Sequence, residues 1–192
     1  MRRSTLRAAG FVVCVTGVAF AQGDLVVLFD GRSLSAWEQI GDANWTVVEG
    51  AAQATEGKGG HLVSKESFGD FELTAEFWVE SPKTNSGVFI RCQNPTSISA
   101  KSCYEINIWD GRPEQDFATG GIVNVAKVIT PVKTAGRWST IAIRARGARM
   151  TVTVNGTKTA DGEHTQFARG PLTLQFGGPG AVKFRNVLVR RL

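Results

Sequence analysis

Tyr104-Glu105-Ile106-Asn107-Ile108-Trp109-Asp110 holds the densest set of residues suited to chemistry. In a β-strand, residues two apart share a face. Glu105, Asn107 and Trp109 then point one way, and Tyr104, Ile106 and Ile108 point into a core. A carboxylate, an amide and an indole on one face suit a pyranose: the indole offers an apolar platform and the polar groups meet hydroxyls. Asp110 is out of phase, but a β-bulge at Trp109 or Asp110 returns it to the face of Glu105. Two carboxylates so placed divide acid and base roles, as glycoside cleavage requires. The competing reading is a surface strand with a solvated glutamate.

Other residues can join this set. Arg91 alternates with apolar neighbours on the preceding strand, where it either bonds a sugar or pairs with Glu105 across the strands. Asn85, in the turn Asn85-Ser86-Gly87, and Gln175 are further candidate sugar contacts. Arg112 and Lys127 are candidates by position alone. His61, after Gly59-Gly60, reads as a strand-edge residue, and His164 as a solvated loop residue. No His-x-x-x-His, Gly-x-Ser-x-Gly or phosphate-cradling glycine motif occurs, which disfavours Ser-His-Asp hydrolysis and nucleotide chemistry.

The elements that must position these residues are strands. Phe71, Leu73, Ala75, Phe77 and Val79 alternate with Glu72, Thr74, Glu76 and Trp78. Val88 to Cys92, Ser139 to Ala145, Met150 to Val154, Leu172 to Phe176 and Val182 to Val189 read likewise. Asn155-Gly156 marks a tight turn in which positive φ is cheap, and Arg146-Gly147-Ala148-Arg149 marks another. Helical periodicity is almost absent. The fold expected is all-β, a two-sheet antiparallel β-sandwich or jelly roll.

The first 21 residues read as a signal peptide. Arg2, Arg3 and Arg7 precede a short apolar run, and Ala19-Phe20-Ala21 gives a small-residue cleavage pattern. The run is too short for a mature span. Residues 22–192 then form one exported domain, periplasmic or secreted, with no membrane span after cleavage. The chain carries a formal net charge of +5 from 22 Lys and Arg against 17 Asp and Glu. Loss of the three leader arginines lowers it to +2, and no basic cluster with interleaved aromatics remains, so nucleic acid is excluded as a partner. Cys92 and Cys103 are an even pair at adjoining strand ends in an oxidising compartment. They form a hairpin-end disulfide or stay as two buried thiols. A metal centre is disfavoured, because only His61 and His164 could join them.

A resemblance runs through the chain. Leu28-Phe29-Asp30-Gly31 with Leu34 and Trp37, Phe68-Gly69-Asp70-Phe71-Glu72-Leu73, Asn85-Ser86-Gly87-Val88-Phe89-Ile90-Arg91 and Tyr104-Glu105-Ile106-Asn107-Ile108 follow in one order. Thr119-Gly120-Gly121-Ile122, Gly136-Arg137-Trp138, Val154-Asn155-Gly156, Arg169-Gly170-Pro171-Leu172 and Val182 to Val187 complete it. Together they resemble the 3-keto-disaccharide hydrolase family. The resemblance implies a concanavalin A-like lectin/glucanase sandwich acting on 3-keto-glycosides of the bacterial envelope. A 3-ketone acidifies the C2 proton, so the glycosidic bond can leave by elimination, with water added afterwards. Glu105 is then the base and Arg91 the donor to the developing enolate oxygen. Glu-x-Asn-x-x-Asp also looks like the Glu-x-Asp-x-x-Glu strand of laminarinase-type retaining glucanases, but its middle amide cannot carry a proton, which argues against retaining chemistry. Many relatives carry an acid and a histidine where this chain has Gln175-Phe176-Gly177-Gly178, so no step through those groups transfers.

Three readings follow: a glycoside hydrolase or lyase, a non-catalytic carbohydrate-binding module, and an envelope interaction domain. The partner expected is an oxidised di- or oligosaccharide. No cofactor is expected, and the sequence leaves a divalent metal open.

Overall fold

The structure, a computed structural model, describes residues 24–192, and the leader expected over residues 1–21 lies outside them. Thirteen strands follow in order: β1 (Leu25–Phe29), β2 (Trp37–Gly41), β3 (Thr46–Val48), β4 (Ala51–Ala54), β5 (Gly60–Phe68), β6 (Phe71–Val79), β7 (Asn85–Ile90), β8 (Tyr104–Ile108), β9 (Ser139–Arg146), β10 (Arg149–Val154), β11 (Thr157–Glu163), β12 (Gly170–Gly178) and β13 (Val182–Arg191). They form two antiparallel sheets. The larger runs β11-β10-β9-β6-β13-β4-β3, with β1 beside the end of β13; the smaller runs β2-β5-β12-β7-β8.

The two-residue period dictates which side chains fill the space between the sheets. From the large sheet come Phe71, Leu73, Phe77, Ile141, Ile143, Val152 and Phe184. From the small sheet come Leu62, Val88, Ile90, Tyr104, Ile106, Ile108 and Leu174. All are at most 2 % exposed. Removing their apolar area from water is the main term holding the layers together. The reading of Tyr104, Ile106 and Ile108 as core residues holds.

The strand after β7 departs from the expected alternation. Arg91 adopts φ +53°, which swings its side chain off the face occupied by Phe89. The guanidinium is 1 % exposed and donates to the carbonyls of Gly69, Gly147 and Phe167 and to Asp70 Oδ1 at 3.1 Å. It ties the end of β7 to the β5–β6 turn, the β9–β10 turn and the segment before β12. The next residue, Cys92, is bonded to Cys103, so the disulfide reading holds and the free-thiol alternative falls.

After β8 the chain from Trp109 to Thr134 folds back along that strand. The amides of Val123 and Gly120 donate to the carbonyls of Glu105 and Asn107, and the Asn107 amide donates to Gly121 O at 3.0 Å. The hub of this segment is Asp110, 2 % exposed. Its carboxylate accepts from Thr119 Oγ1 (2.6 Å), Thr134 N (2.6 Å), Thr134 Oγ1 (3.1 Å) and Ala135 N (2.9 Å).

Candidate functional site

The face of the small sheet turned away from the core carries two rows of side chains set by strand register. One row reads Glu105, Phe89, Thr173, Val63 and Glu38 across β8, β7, β12, β5 and β2. The next reads Asn107, Gly87, Gln175, His61 and Ile40. Gly87 is the low point between the Asn107 and Gln175 amides. A Cβ there would stand 3.4 Å from Gln175 Oε1 and 3.3 Å from the Phe89 ring.

Unsatisfied polar atoms gather around this low point. Asn85 Oδ1, Asn107 Oδ1, Gln175 Oε1, Trp109 Nε1 and Arg112 Nε are shielded from solvent without a hydrogen-bond partner. Buried polar groups are nearly always paired, and each orphan costs about 1–3 kcal/mol. Asn85, Asn107 and Gln175 lie on β7, β8 and β12, Trp109 directly follows β8, and Arg112 lies in the loop beyond it. Asn107 is fixed by its amide, which donates to Phe117 O at 2.6 Å, and its carbonyl oxygen is left over.

Two titratable groups border the low point. Burial pushes the Glu105 carboxyl above the usual carboxylate range, against a smaller downward pull from the Arg112 charge. Burial lowers His61 to about 4, so its ring is neutral at physiological pH. His61 Nδ1 lies 3.1 Å from Thr173 Oγ1, and the ring meets the edge of Phe89 at 5.2 Å.

The structure therefore gathers Glu105, Asn107, Trp109, Asn85, Arg112 and Gln175 from the expected set. It separates three others. Arg91 was expected beside Glu105, but its positive φ turns it to the far end of β7, where all its bonds serve the protein. Asp110 was expected to rejoin the face through a bulge; instead the chain turns into a buried loop whose four donors hold the carboxylate. Lys127 pairs with Asp116 at 2.7 Å on an open surface. His61, read as a strand-edge residue, was missed. Its phase with Val63 was visible, but its place opposite Gln175 depends on the pairing of β5 with β12, strands more than 100 residues apart in sequence.

The family model described as a 3-keto-alpha-glucoside-1,2-lyase-like domain matches residues 24–190. No curated protein sequence matches the chain. Two crystal structures of candidate glycosyl hydrolases from Parabacteroides distasonis superpose with TM-scores of 0.76 and 0.73. They are 18 % and 22 % identical, and the matches cover 88 % of this chain and 94 % and 100 % of theirs. The carbohydrate-binding module CBM66 of Bacillus subtilis superposes with a TM-score of 0.62 at 16 % identity, covering 81 % of this chain and 95 % of the module. These structures share the sandwich fold. Among the described residues no helix is long and apolar enough to cross a membrane.

Proposed function

The chain belongs to the 3-keto-alpha-glucoside-1,2-lyase-like family, and on that premise we propose that it is an exported enzyme that cleaves 3-keto-glycosides by elimination and then hydration. The observation that carries this reading is Glu105: a desolvated carboxyl of raised pKa beside side-chain amides whose oxygens have no partner. A carboxylate out of water is a stronger base than a solvated one, and C2 beside a ketone is acidic enough to need no more.

The step balances simply. Glu105 takes the C2 proton; the C2–H electron pair becomes the C1–C2 double bond; the C1–O bond breaks and its electrons leave with the aglycone oxygen, which takes a proton. Water then adds across the double bond. Charge that develops on the C3 oxygen needs a donor. Arg112, whose charge acts on Glu105, has an unpartnered Nε–H, so the donor role first expected of Arg91 passes to Arg112. Asn85, Asn107 and Gln175 would hold the ring hydroxyls.

Heavy water tests the route. Elimination and hydration place deuterium at C2 of the released sugar, whereas direct hydrolysis retains the original proton. Early product with no deuterium at C2, corrected for exchange without enzyme, would sink the proposal. The orphaned amides also favour a binding-only module, for which sugar raises the melting temperature and no product forms.

A further inference from the structure

A second hollow lies on the same sheet face. It has a volume of about 430 Å³ and is lined by Glu38, Val63, Lys65, Gln93, Pro95 and Arg169, among others. Val63 joins it to the Gly87 floor. It is two residues from His61 on β5, so both side chains face outward, and it pairs with Thr173, whose hydroxyl holds His61. Val63 is two strands across and two residues along from Gly87, roughly 12 Å at the usual strand spacings, the reach of a disaccharide laid across the strands.

We propose that this hollow is a subsite for the leaving-group sugar of the glycoside whose 3-keto ring sits over Gly87. The proposal rests on the function given above and adds where the second ring lies. Its lining has sugar chemistry. Val63, Pro95 and Pro171 supply apolar contact, while Glu38, Lys65 and Gln93 supply a polar rim. Among the described residues, Glu38 and Lys65 take part in no ion pair, so their charges are free to meet hydroxyls.

One wall is fixed before any ligand arrives. The disulfide anchors the loop after Cys92 to the start of β8. The Gln93 side-chain amide donates to Arg91 O at 2.8 Å and to Arg169 O at 2.9 Å, clamping that loop to the strand β12. A Cβ at Gly170 would come within 2.2 Å of Cys92 O, so the backbones meet where only glycine fits. A preformed wall spares the ordering cost of closing a loop on a sugar.

The test compares two substrates with the same reacting ring, a 3-keto-disaccharide and the methyl 3-keto-glucoside. Wild-type kcat/KM should favour the disaccharide. Ser67→Trp, which fills the hollow, and Lys65→Ala, at an exposed position, should each lower the ratio of the two kcat/KM values, tenfold or more for Ser67→Trp. If Ser67→Trp does not fold, Lys65→Ala decides. A wild-type ratio near one, or variants that change both substrates equally, would overturn the subsite and leave the reaction intact. Absence of turnover with both sugars, with no sugar-induced melting shift, would overturn the subsite together with the parent reading.

Discussion

The two outward faces of this sandwich use similar polar residues and leave them in opposite states. On the large sheet many of the charges are paired. Arg144 meets Glu72 and Arg185 meets Glu76, both at 2.7 Å, and Arg149 makes two 3.0 Å bonds to Asp161. Two tryptophans there have cationic neighbours: Arg185 stacks 4.1 Å above Trp138, and Lys183 lies 5.1 Å from the centre of the Trp78 ring. On the small sheet Glu105 is desolvated and the amide oxygens of Asn85, Asn107 and Gln175 lack partners. Polar residues that satisfy one another stabilise a surface; polar residues left wanting on a floor are held ready for something else.

Substitutions can break that contrast. The largest effect should follow Glu105→Gln, which keeps shape and removes the base: turnover of a 3-keto-disaccharide should fall by about 10²–10⁴-fold, measured by release of the keto sugar. Because the Glu105 carboxyl is raised in the fold, its ionised form costs stability as pH rises through that value. The same variant should therefore melt higher than wild type at neutral pH and equally in acid. Turnover that survives, or a variant that melts lower at neutral pH, would place Glu105 among the paired residues after all.

Asp110 provides the opposite case, a carboxylate whose bonds are all internal. Asp110→Ala strands two backbone amides and two hydroxyls and should cost about 2–4 kcal/mol of folding stability, read from denaturant unfolding. A smaller sharpening comes from pH. His61 titrates near 4 in the fold against an ordinary 6.5, so the unfolded chain takes up its proton first as pH falls. Stability should drop between pH 6.5 and about 4, and His61→Gln should remove that part of the slope. Least of all, Arg144→Ala on the large sheet should cost under about 1 kcal/mol, since both partners of its ion pair are well exposed, and should leave turnover unchanged.

Local alternation made much of this molecule legible. The strand Phe71–Val79 was readable to the residue, and the seven strands foreseen all appear. Six strands escaped: β1 to β4, because three to five residues are too few to show a period, and the longer β5 and β11, whose polar runs Ser64-Lys65-Glu66-Ser67 and Asp161-Gly162-Glu163 break the apolar alternation. The alternation of Glu105 and Asn107 with Tyr104, Ile106 and Ile108 followed from phase; the full burial of Asn107, bonded to Phe117 O, did not. The fate of Arg91 and Asp110 did not either, because one positive φ and one turn, invisible to a period of two, sent each side chain into a nest of donors or acceptors from distant segments. His61 fell to the same limit in reverse: its partners come from β12, and no local pattern states which strands will lie side by side.

The two ends of the described chain meet at one place: the Arg191 amide donates to Asp24 O at 3.2 Å, where β1 lies along β13 in the large sheet. A tag, a resin or a fused protein attached at either end therefore leaves from the layer behind the Gly87 floor. Protein immobilised through Leu192 should present that floor to the medium unobstructed, which suits it to surface-based binding assays and to display on particles.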